Sequence, residues 1–257
     1  MTARATRAFA RYLVLGDGLS ADLTPALDLK IADVSVALER DAKSGAVPPV
    51  GAGSLLFQND DERWPDFIGD DLRKLCGCDS IDRLAADGAS IGDIFDEQIL
   101  GLESSDAPTL ITLTAGGVDL LSAVATKPAP ARMELIVRDA VTGVIALAEL
   151  LHGRFSDLTL VLNTLPDPTD GLGIFTEARD GEAIPPSALL AFNAQLRQRA
   201  AGVAGTIVAD AHAAFHGHGL TSPEGERWFW RRNPHEPAAE GASGLRACWL
   251  RALRVLA

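Results

Sequence analysis

Aromatic and basic residues are both scarce in this sequence. Aromatic side chains make up 5% of the 257 residues, and Lys plus Arg number 23 against 35 Asp plus Glu, which gives a net charge of −12. A surface with this charge repels the phosphates of nucleic acids and the head groups of anionic membranes. We therefore expect neither a nucleic acid nor a membrane as a partner.

Long apolar runs are missing as well. Charged residues, Ala and Gly interrupt every apolar run before it reaches the roughly 20 residues that a membrane-spanning helix needs. The N-terminal segment 1–10 is basic, but it leads straight into a strand-like segment without the apolar stretch of a secretory signal. These features predict a cytoplasmic protein that does not span a membrane.

Cysteine is also rare. Cys76, Cys78 and Cys248 form an odd set that cannot build a closed disulfide framework, so reduced thiols are expected. The Cys-x-Cys pair has no second Cys or His pair at the spacing of a zinc site. We therefore predict no metal and no cofactor.

The sequence does contain a regular alternation of short apolar runs, rich in Val, Ile and Leu, with longer helical patterns. Continuous apolar runs of this kind are typical of strands buried on both faces of a parallel sheet. The alternation predicts an α/β fold, in which a doubly wound, five-stranded parallel sheet forms the middle of a three-layer α/β/α sandwich. The predicted strands are Arg11–Leu15, Ile81–Ala85, Thr109–Thr114, Leu158–Asn163 and Thr206–Ala209.

Helices are predicted between the strands, because apolar residues recur there at three- or four-residue spacing. They cover Glu62–Leu75, Ile91–Leu100, Val118–Ala123, Arg132–Leu151, Pro186–Ala201 and Gly241–Leu256. Segment 22–57 is longer than a usual connection and contains several Pro and Gly, so we interpret it as a partly helical insertion near the site. No linker divides the chain, which predicts one domain over residues 1–257. In a doubly wound sheet, the loops after the carboxyl ends of the strands hold the site.

Four short motifs accompany these elements. They are Gly-Asp-Gly-Leu-Ser at 16–20, Asp-Gly-Ala-Ser at 87–90, Ala-Gly-Gly-Val-Asp at 115–119 and Asn-Pro-His-Glu-Pro at 233–237. Each motif alone is weak, since a Gly-Asp-Gly after a strand is usually a tight turn, but their order and their places beside strands and helices are specific. Together they resemble the blocks of the SGNH (GDSL) hydrolase superfamily of lipases and esterases, over nearly the whole chain.

The resemblance also shows what is replaced. Gly18 stands where the family has its nucleophilic serine, and Val118 stands where it has the asparagine of its oxyanion hole. Gly88 matches the glycine whose backbone N–H contributes to that hole. In a well-studied serine hydrolase, loss of the nucleophile lowers turnover about a million-fold. The resemblance thus implies no acyl-enzyme, but a remnant in which the N–H groups of Gly18 and Gly88 bind a carbonyl oxygen or carboxylate.

The last motif departs from the Asp-x-x-His pair of the family. Alignment on Pro237 and Gly241 puts Glu236 in the histidine position and Asn233 in the aspartate position, with His235 one residue out of register. One interpretation makes Glu236, together with His235, the general acid or base. The other is a capping box, in which Asn233 is the N-cap of the final helix and Glu236 its third residue.

Further polar and aromatic residues are candidates for the pocket. Asp17 follows the first predicted strand. Ser20 and Ser90 would need an adjacent base to act as nucleophiles, and serines at such positions more often cap helices. Trp228 and Trp230 either form a wall of the pocket or pack in the core.

Three histidines follow the last predicted strand of the sheet. His212 and His216 are four residues apart and would share a helix face, while His218 comes two residues later. No third ligand stands at a recognised zinc spacing, so surface histidines are the simpler interpretation.

Three hypotheses for function follow. The leading one is an enzyme that acts on a small carbonyl, ester or carboxylate compound by general acid–base chemistry, without a serine nucleophile. The alternative is a catalytically inactive pseudo-hydrolase that binds a small molecule or a partner. The third is an esterase with Ser20 as a displaced nucleophile. The substrate and the reaction stay open, since a fold does not determine its function.

Overall fold

A computed structural model describes residues 7–32, 47–175 and 183–254 of the chain. Five parallel strands form its central sheet in the order β2-β1-β3-β4-β5. The strands are β1 (Arg11–Gly16), β2 (Ile81–Arg83), β3 (Thr109–Thr114), β4 (Leu158–Asn163) and β5 (Thr206–Ala209). The predicted α/β fold with a five-stranded parallel sheet is confirmed.

The strands form because their side chains are buried on both faces. Every residue of β3 and of β4 is buried, which is typical of a parallel sheet covered by helices on both sides. The polar groups among them are hydrogen-bonded, as in the bond of 2.8 Å between the Tyr12 hydroxyl and Oγ1 of Thr112 on the neighbouring strand. The apolar periodicity of the sequence therefore located these strands almost to the residue.

Helices connect the strands and flank the sheet. They are α1 (Leu23–Asp28), α2 (Ala52–Phe57), α3 (Leu72–Cys76), α4 (Ile91–Asp93), α5 (Gly117–Val124), α6 (Pro130–Arg154), α7 (Pro186–Ala200), α8 (Ala211–Phe215) and α9 (Ala239–Arg254). A π-helical segment, Ile94–Ile99, continues α4. Helix α6 packs against α5 and α7, while α9 packs against α1, α2 and α8. Among the described residues, no helix is long and apolar enough to cross a bilayer.

One of the predicted helical regions differs from the structure. Over 62–75, only a 3-10 turn at Pro65–Phe67 and the short α3 are helical, because the Asp71 side chain caps the Lys74 N–H and starts a new helix there. The predicted insertion carries α1 and α2 near its two ends, whereas its segment 33–46 lies outside the described residues.

The chain before α9 forms a small β-hairpin that the sequence analysis did not predict. Strand β6 (Phe229–Trp230) pairs antiparallel with β7 (Asn233–Pro237), and α9 begins only at Ala239. The capping interpretation of Asn233 and Glu236 is therefore wrong, since both residues lie in a strand before the helix.

The strand order fixes the position of the site. Strands β2 and β3 lie on opposite sides of β1, so the connections leaving β1 and β2 run in opposite directions across the sheet. Such a switch point opens a crevice beyond the carboxyl ends of β1 and β3. The turn after β1 and the start of α5 meet at this crevice.

Candidate active site

The turn after β1 is held firmly at the edge of the sheet. The Gln98 side chain accepts a hydrogen bond from the Gly16 N–H at 2.7 Å and donates one to the Gly16 carbonyl at 2.9 Å. The Asp17 N–H donates to the carbonyl of Thr114 at 3.1 Å. These bonds fix Asp17 and Gly18 at the carboxyl end of β1, as the crevice requires.

Gly18 lies directly against the carboxyl group of Glu236. A Cβ atom built on Gly18 would overlap Cδ and both oxygens of Glu236, so this carboxyl group fills the space that a side chain at residue 18 would need. Glu236 reaches this place from β7 and is only 7% exposed. The structure thus brings Glu236, rather than its neighbour His235, to Gly18.

The surroundings of Glu236 favour its protonated form. Burial raises the pKa of Glu236 well above its usual value, and the negative charges of Asp87 and Asp17 and a side-chain hydrogen bond with Asp87 raise it further. Among the described residues, no N–H or O–H group donates to the buried Oε2. Burial also raises the pKa of Asp17, to about 6, although hydrogen bonds from Thr114 and the Leu19 N–H oppose the shift. The pKa of Glu236 thus lies well above the ordinary range for a carboxyl group, whereas Asp17, with a pKa of about 6, is mostly ionised near neutral pH.

A pocket of about 540 Å³, counting space that is open to solvent, extends from these two carboxyl groups. Apolar side chains line most of it, together with the acidic groups of Asp17, Asp167 and Glu236 and the imidazole of His235. Val118 belongs to the lining at the start of α5, so the floor of the pocket is apolar at that position. The size and the mixture of groups suit a small molecule with an apolar body.

Two neighbours of Glu236 on β7 have local roles. His235 faces the same pocket and packs edge-on against Phe175, with ring centroids 5.4 Å apart, and burial lowers its pKa. The side-chain oxygen of Asn233 accepts a hydrogen bond from the His235 N–H at 3.3 Å. This hydrogen bond of the Asn233 side chain thus lies within its own strand.

Gly88 adopts a φ of +72° and is exposed, next to Asp87. It does not belong to the lining of the pocket, although its neighbour Asp87 reaches Glu236. The oxyanion-hole remnant formed by Gly18 and Gly88 stays a prediction.

The candidate serines and tryptophans lie outside this pocket. The Ser20 hydroxyl is buried and bonds to Oγ1 of Thr114 at 2.9 Å, and Ser20 lines a second cavity together with Asp87. Ser90 forms a capping box at the start of α4. Trp228 packs against α9, where a Cβ on Gly244 would overlap its ring. Trp230 lies in β6 and is partly buried.

The three histidines near α8 point to separate partners. His212 Nδ1 lies 3.2 Å from the carbonyl of Leu165, and His216 Nδ1 lies 3.8 Å from the Asp170 carboxylate. His218 stacks on Trp228 with ring centroids 4.0 Å apart. Within the described ranges, no group of three or more His, Cys, Asp or Glu side chains is arranged to hold a metal ion.

Sequence reasoning missed three residues that shape this site. Asp87 stands in the second motif, directly before Gly88, and its position there could have suggested a role. Asp167 follows β4 in a turn rich in Pro and Asp, which is the place where a doubly wound sheet presents side chains to its crevice. Nothing in the sequence indicated a role for Gln98, because a helical pattern does not show which polar side chain points toward the sheet.

Comparisons with known proteins agree with this architecture. An extracellular lipase from Streptomyces rimosus aligns with a TM-score of 0.60 at 18% identity, covering 94% of this chain and 99% of that one. A phospholipase A1 from Streptomyces albidoflavus aligns with a TM-score of 0.58 at 20% identity, covering 97% and 100%. The lipase Lip_vut3 from a goat rumen metagenome gives 0.58 at 15% identity, covering 94% and 96%.

At these identities, the solved structures establish the fold alone. No curated protein matches the sequence. Residues 48–229, more than half of the chain, match the model of the GDSL-like lipase/acylhydrolase family. The chain therefore belongs to the GDSL-like lipase/acylhydrolase family.

Proposed function

We propose that this protein hydrolyses a small acyl ester or amide by direct attack of water, with Glu236 as the general base. The observation that carries the proposal is the Glu236 carboxyl group, which occupies the space beside Gly18 at the end of an otherwise largely apolar pocket. The similarity to a lipase and a phospholipase A1 supports an acyl compound as the substrate.

The reaction needs no covalent intermediate. Ionised Glu236 takes a proton from water while the water oxygen forms a bond to the acyl carbon, and the carbonyl oxygen becomes an oxyanion. When the bond to the leaving group breaks, Glu236 returns the proton to the leaving alkoxide or amine. The products are a carboxylic acid and an alcohol or amine, and Glu236 regains its starting form. The Val118 side chain has no hydrogen-bond donor, so backbone N–H groups have to stabilise the oxyanion.

The proposal predicts an unusual pH dependence. Only ionised Glu236 can act as a base, and its pKa lies well above the usual range for a carboxyl group. We therefore expect the hydrolysis rate to rise with pH beyond the region in which ordinary carboxylates are already ionised, around pH 4 to 5.

Hydrolysis of p-nitrophenyl esters by Glu236→Gln tests the assignment. This isosteric change should lower the rate about 100-fold or more, toward the uncatalysed background, because the base is lost. Asp139→Asn, which removes the same charge from an exposed position on α6, should keep the activity. A Glu236→Gln protein with unchanged activity would contradict the proposal, as would stoichiometric labelling of a serine by a fluorophosphonate.

One observation favours a catalytically silent binding protein as the second candidate. The Glu236 carboxyl group fills the space beside Gly18, and its surroundings favour the protonated form, which is not a base, so the pocket is also suited to binding without turnover. Ligand binding with no hydrolysis above background at any pH would decide for this candidate. An esterase that uses Ser20 is less well supported, since the Ser20 hydroxyl bonds to a threonine hydroxyl, which is not a base.

A further inference from the structure

The titratable side chains that line the pocket are acidic, apart from one histidine. Asp17, Asp167 and Glu236 are acidic, and no Lys or Arg of the described chain belongs to the lining. Burial lowers the pKa of His235, which therefore adds little positive charge near neutral pH. A carboxylate ligand, which the sequence analysis allowed, would be repelled here, whereas a cation would be attracted.

Asp167 is a fixed part of this lining. Its Oδ1 accepts hydrogen bonds from the N–H and the hydroxyl of Thr169 at 2.8 and 2.6 Å, and its Oδ2 accepts one from the Gly171 N–H at 2.9 Å. These bonds hold its carboxyl group at the wall of the pocket, where it is only 7% exposed. The acidic character of the wall is thus built into the turn after β4.

The Glu236 carboxyl group, in contrast, has one oxygen, Oε2, without a hydrogen-bond partner among the described residues, while the group also bonds to the Asp87 side chain. It lines the pocket, is 93% buried, and receives no hydrogen bond at Oε2 from any described N–H or O–H group. A buried carboxylate with an unpartnered oxygen and no positive charge beside it is strongly disfavoured. A ligand ammonium group would supply both the opposite charge and the N–H donors that are missing.

We propose that the pocket takes a cationic ligand, a small ester or amide that carries a primary or secondary ammonium group. The ammonium group lies against Asp17 and Glu236, and the apolar body lies against Val118, Leu121 and Leu165. The acyl part of this assignment rests on the proposed hydrolysis, while the ammonium part rests on the pocket alone.

The bound cation also has a chemical consequence. Its positive charge favours the ionised form of Glu236, which is the form that accepts a proton from water. Burial and the neighbouring acidic groups favour the protonated form of Glu236, so a cationic ligand beside it promotes formation of the general base. Neutral esters would then be hydrolysed only at higher pH.

Calorimetric titrations with benzylamine, benzyl alcohol and benzoate test the charge preference on one shared apolar body. We expect benzylamine to bind about tenfold or more tightly than benzyl alcohol, and benzoate to bind most weakly. Benzylamine affinity should rise with pH, and its binding should release a proton, which is seen as a dependence of the measured heat on the buffer. Glu236→Gln and Asp17→Asn should each remove most of the preference, while Asp139→Asn should retain it.

Two results with the unsubstituted protein would overturn the proposal, whatever the variants do. One is equal or tighter binding of the alcohol or of benzoate, and the other is benzylamine binding that is independent of pH. Because these ligands are not hydrolysed, binding and turnover are tested separately. Selective amine binding without ester hydrolysis would support the cationic pocket and count against the proposed activity. Ester hydrolysis without a preference for the amine would support the proposed activity and count against the cationic pocket.

Discussion

Gly18 and Glu236 depend on each other sterically. The Glu236 carboxyl group lies where the first side-chain atom of any other residue at position 18 would have to be. Glycine is required here because of this close approach, and not because of an unusual backbone conformation.

Gly18→Ala should therefore destabilise the protein. We expect a loss of about 1–3 kcal/mol in the free energy of unfolding, because the added methyl group forces Glu236 out of its place. Urea denaturation measures this loss. Gly101→Ala is the matched control, since a Cβ there would meet no atom within 4 Å, and its effect should stay within about 0.5 kcal/mol. Equal stabilities of the two variants would argue against the contact with Glu236.

The raised pKa of Asp17 should make the stability of the protein depend on pH. This pKa is raised from 3.8 to about 6 in the folded protein, so the folded state binds more protons than the unfolded state between these values. Burial of this carboxyl group therefore lowers the stability as pH rises through that interval, by up to about 3 kcal/mol above it.

Asp17→Asn removes this titration. Relative to the unsubstituted protein, the variant should gain about 2 kcal/mol in the free energy of unfolding between pH 4 and pH 7. Denaturation curves at several pH values measure the difference, with the exposed Asp139→Asn as the control. A difference that is constant, or that falls with pH, would mean that the pKa of Asp17 is not raised.

At the level of elements, the π-helical segment after α4 has a definite structural task. It places Gln98 so that its amide bonds to both the N–H and the carbonyl of Gly16, the last residue of β1. The turn that carries Asp17 and Gly18 is thereby fixed from outside the sheet. Insertions of this kind within helices are frequent at functional sites.

Gln98→Leu tests this clamp. The buried Gly16 N–H would lose its partner, which costs about 1–3 kcal/mol. Gln198→Leu, on the exposed face of α7, is the control and should have little effect. Denaturation measures stability, and benzylamine affinity reports whether the turn has moved. If Gln98→Leu has wild-type stability and wild-type benzylamine affinity, the turn does not need the Gln98 side chain to keep its position.

Elements were predictable from the sequence where burial alone determines them. Strands β3 and β4 are rich in Leu, Ile and Val and buried throughout, and their predicted bounds match the structure. The hairpin β6–β7 was not predictable in this way, because it contains two prolines and two adjacent arginines and exists through its pairing and its packing on α9. The region 62–75 was predicted as one helix because apolar spacing alone does not reveal that Asp71 caps a separate, shorter helix.

At the scale of the whole molecule, the sheet order brings distant segments of the sequence together. The crevice between β1 and β3 was expected from the doubly wound fold, and Asp17, Val118 and Glu236 do meet at one pocket. These three residues could be identified from the sequence, through the order of the motifs and the alignment on Pro237. The sequence indicated that Asp87 and Asp167 lie in loops next to the crevice, but not that both carboxyl groups come close to the Glu236 end of the pocket, because that depends on how two separate loops fold.

The packing of Gly18 against Glu236 also restricts how such a site can change during evolution. A serine at position 18 would collide with the glutamate, so its introduction has to begin with a smaller residue at position 236. The same two substitutions made in the opposite order pass through an intermediate in which the serine and the glutamate side chains overlap. The order of these two substitutions, and not only their number, therefore determines whether a serine can be accommodated at position 18.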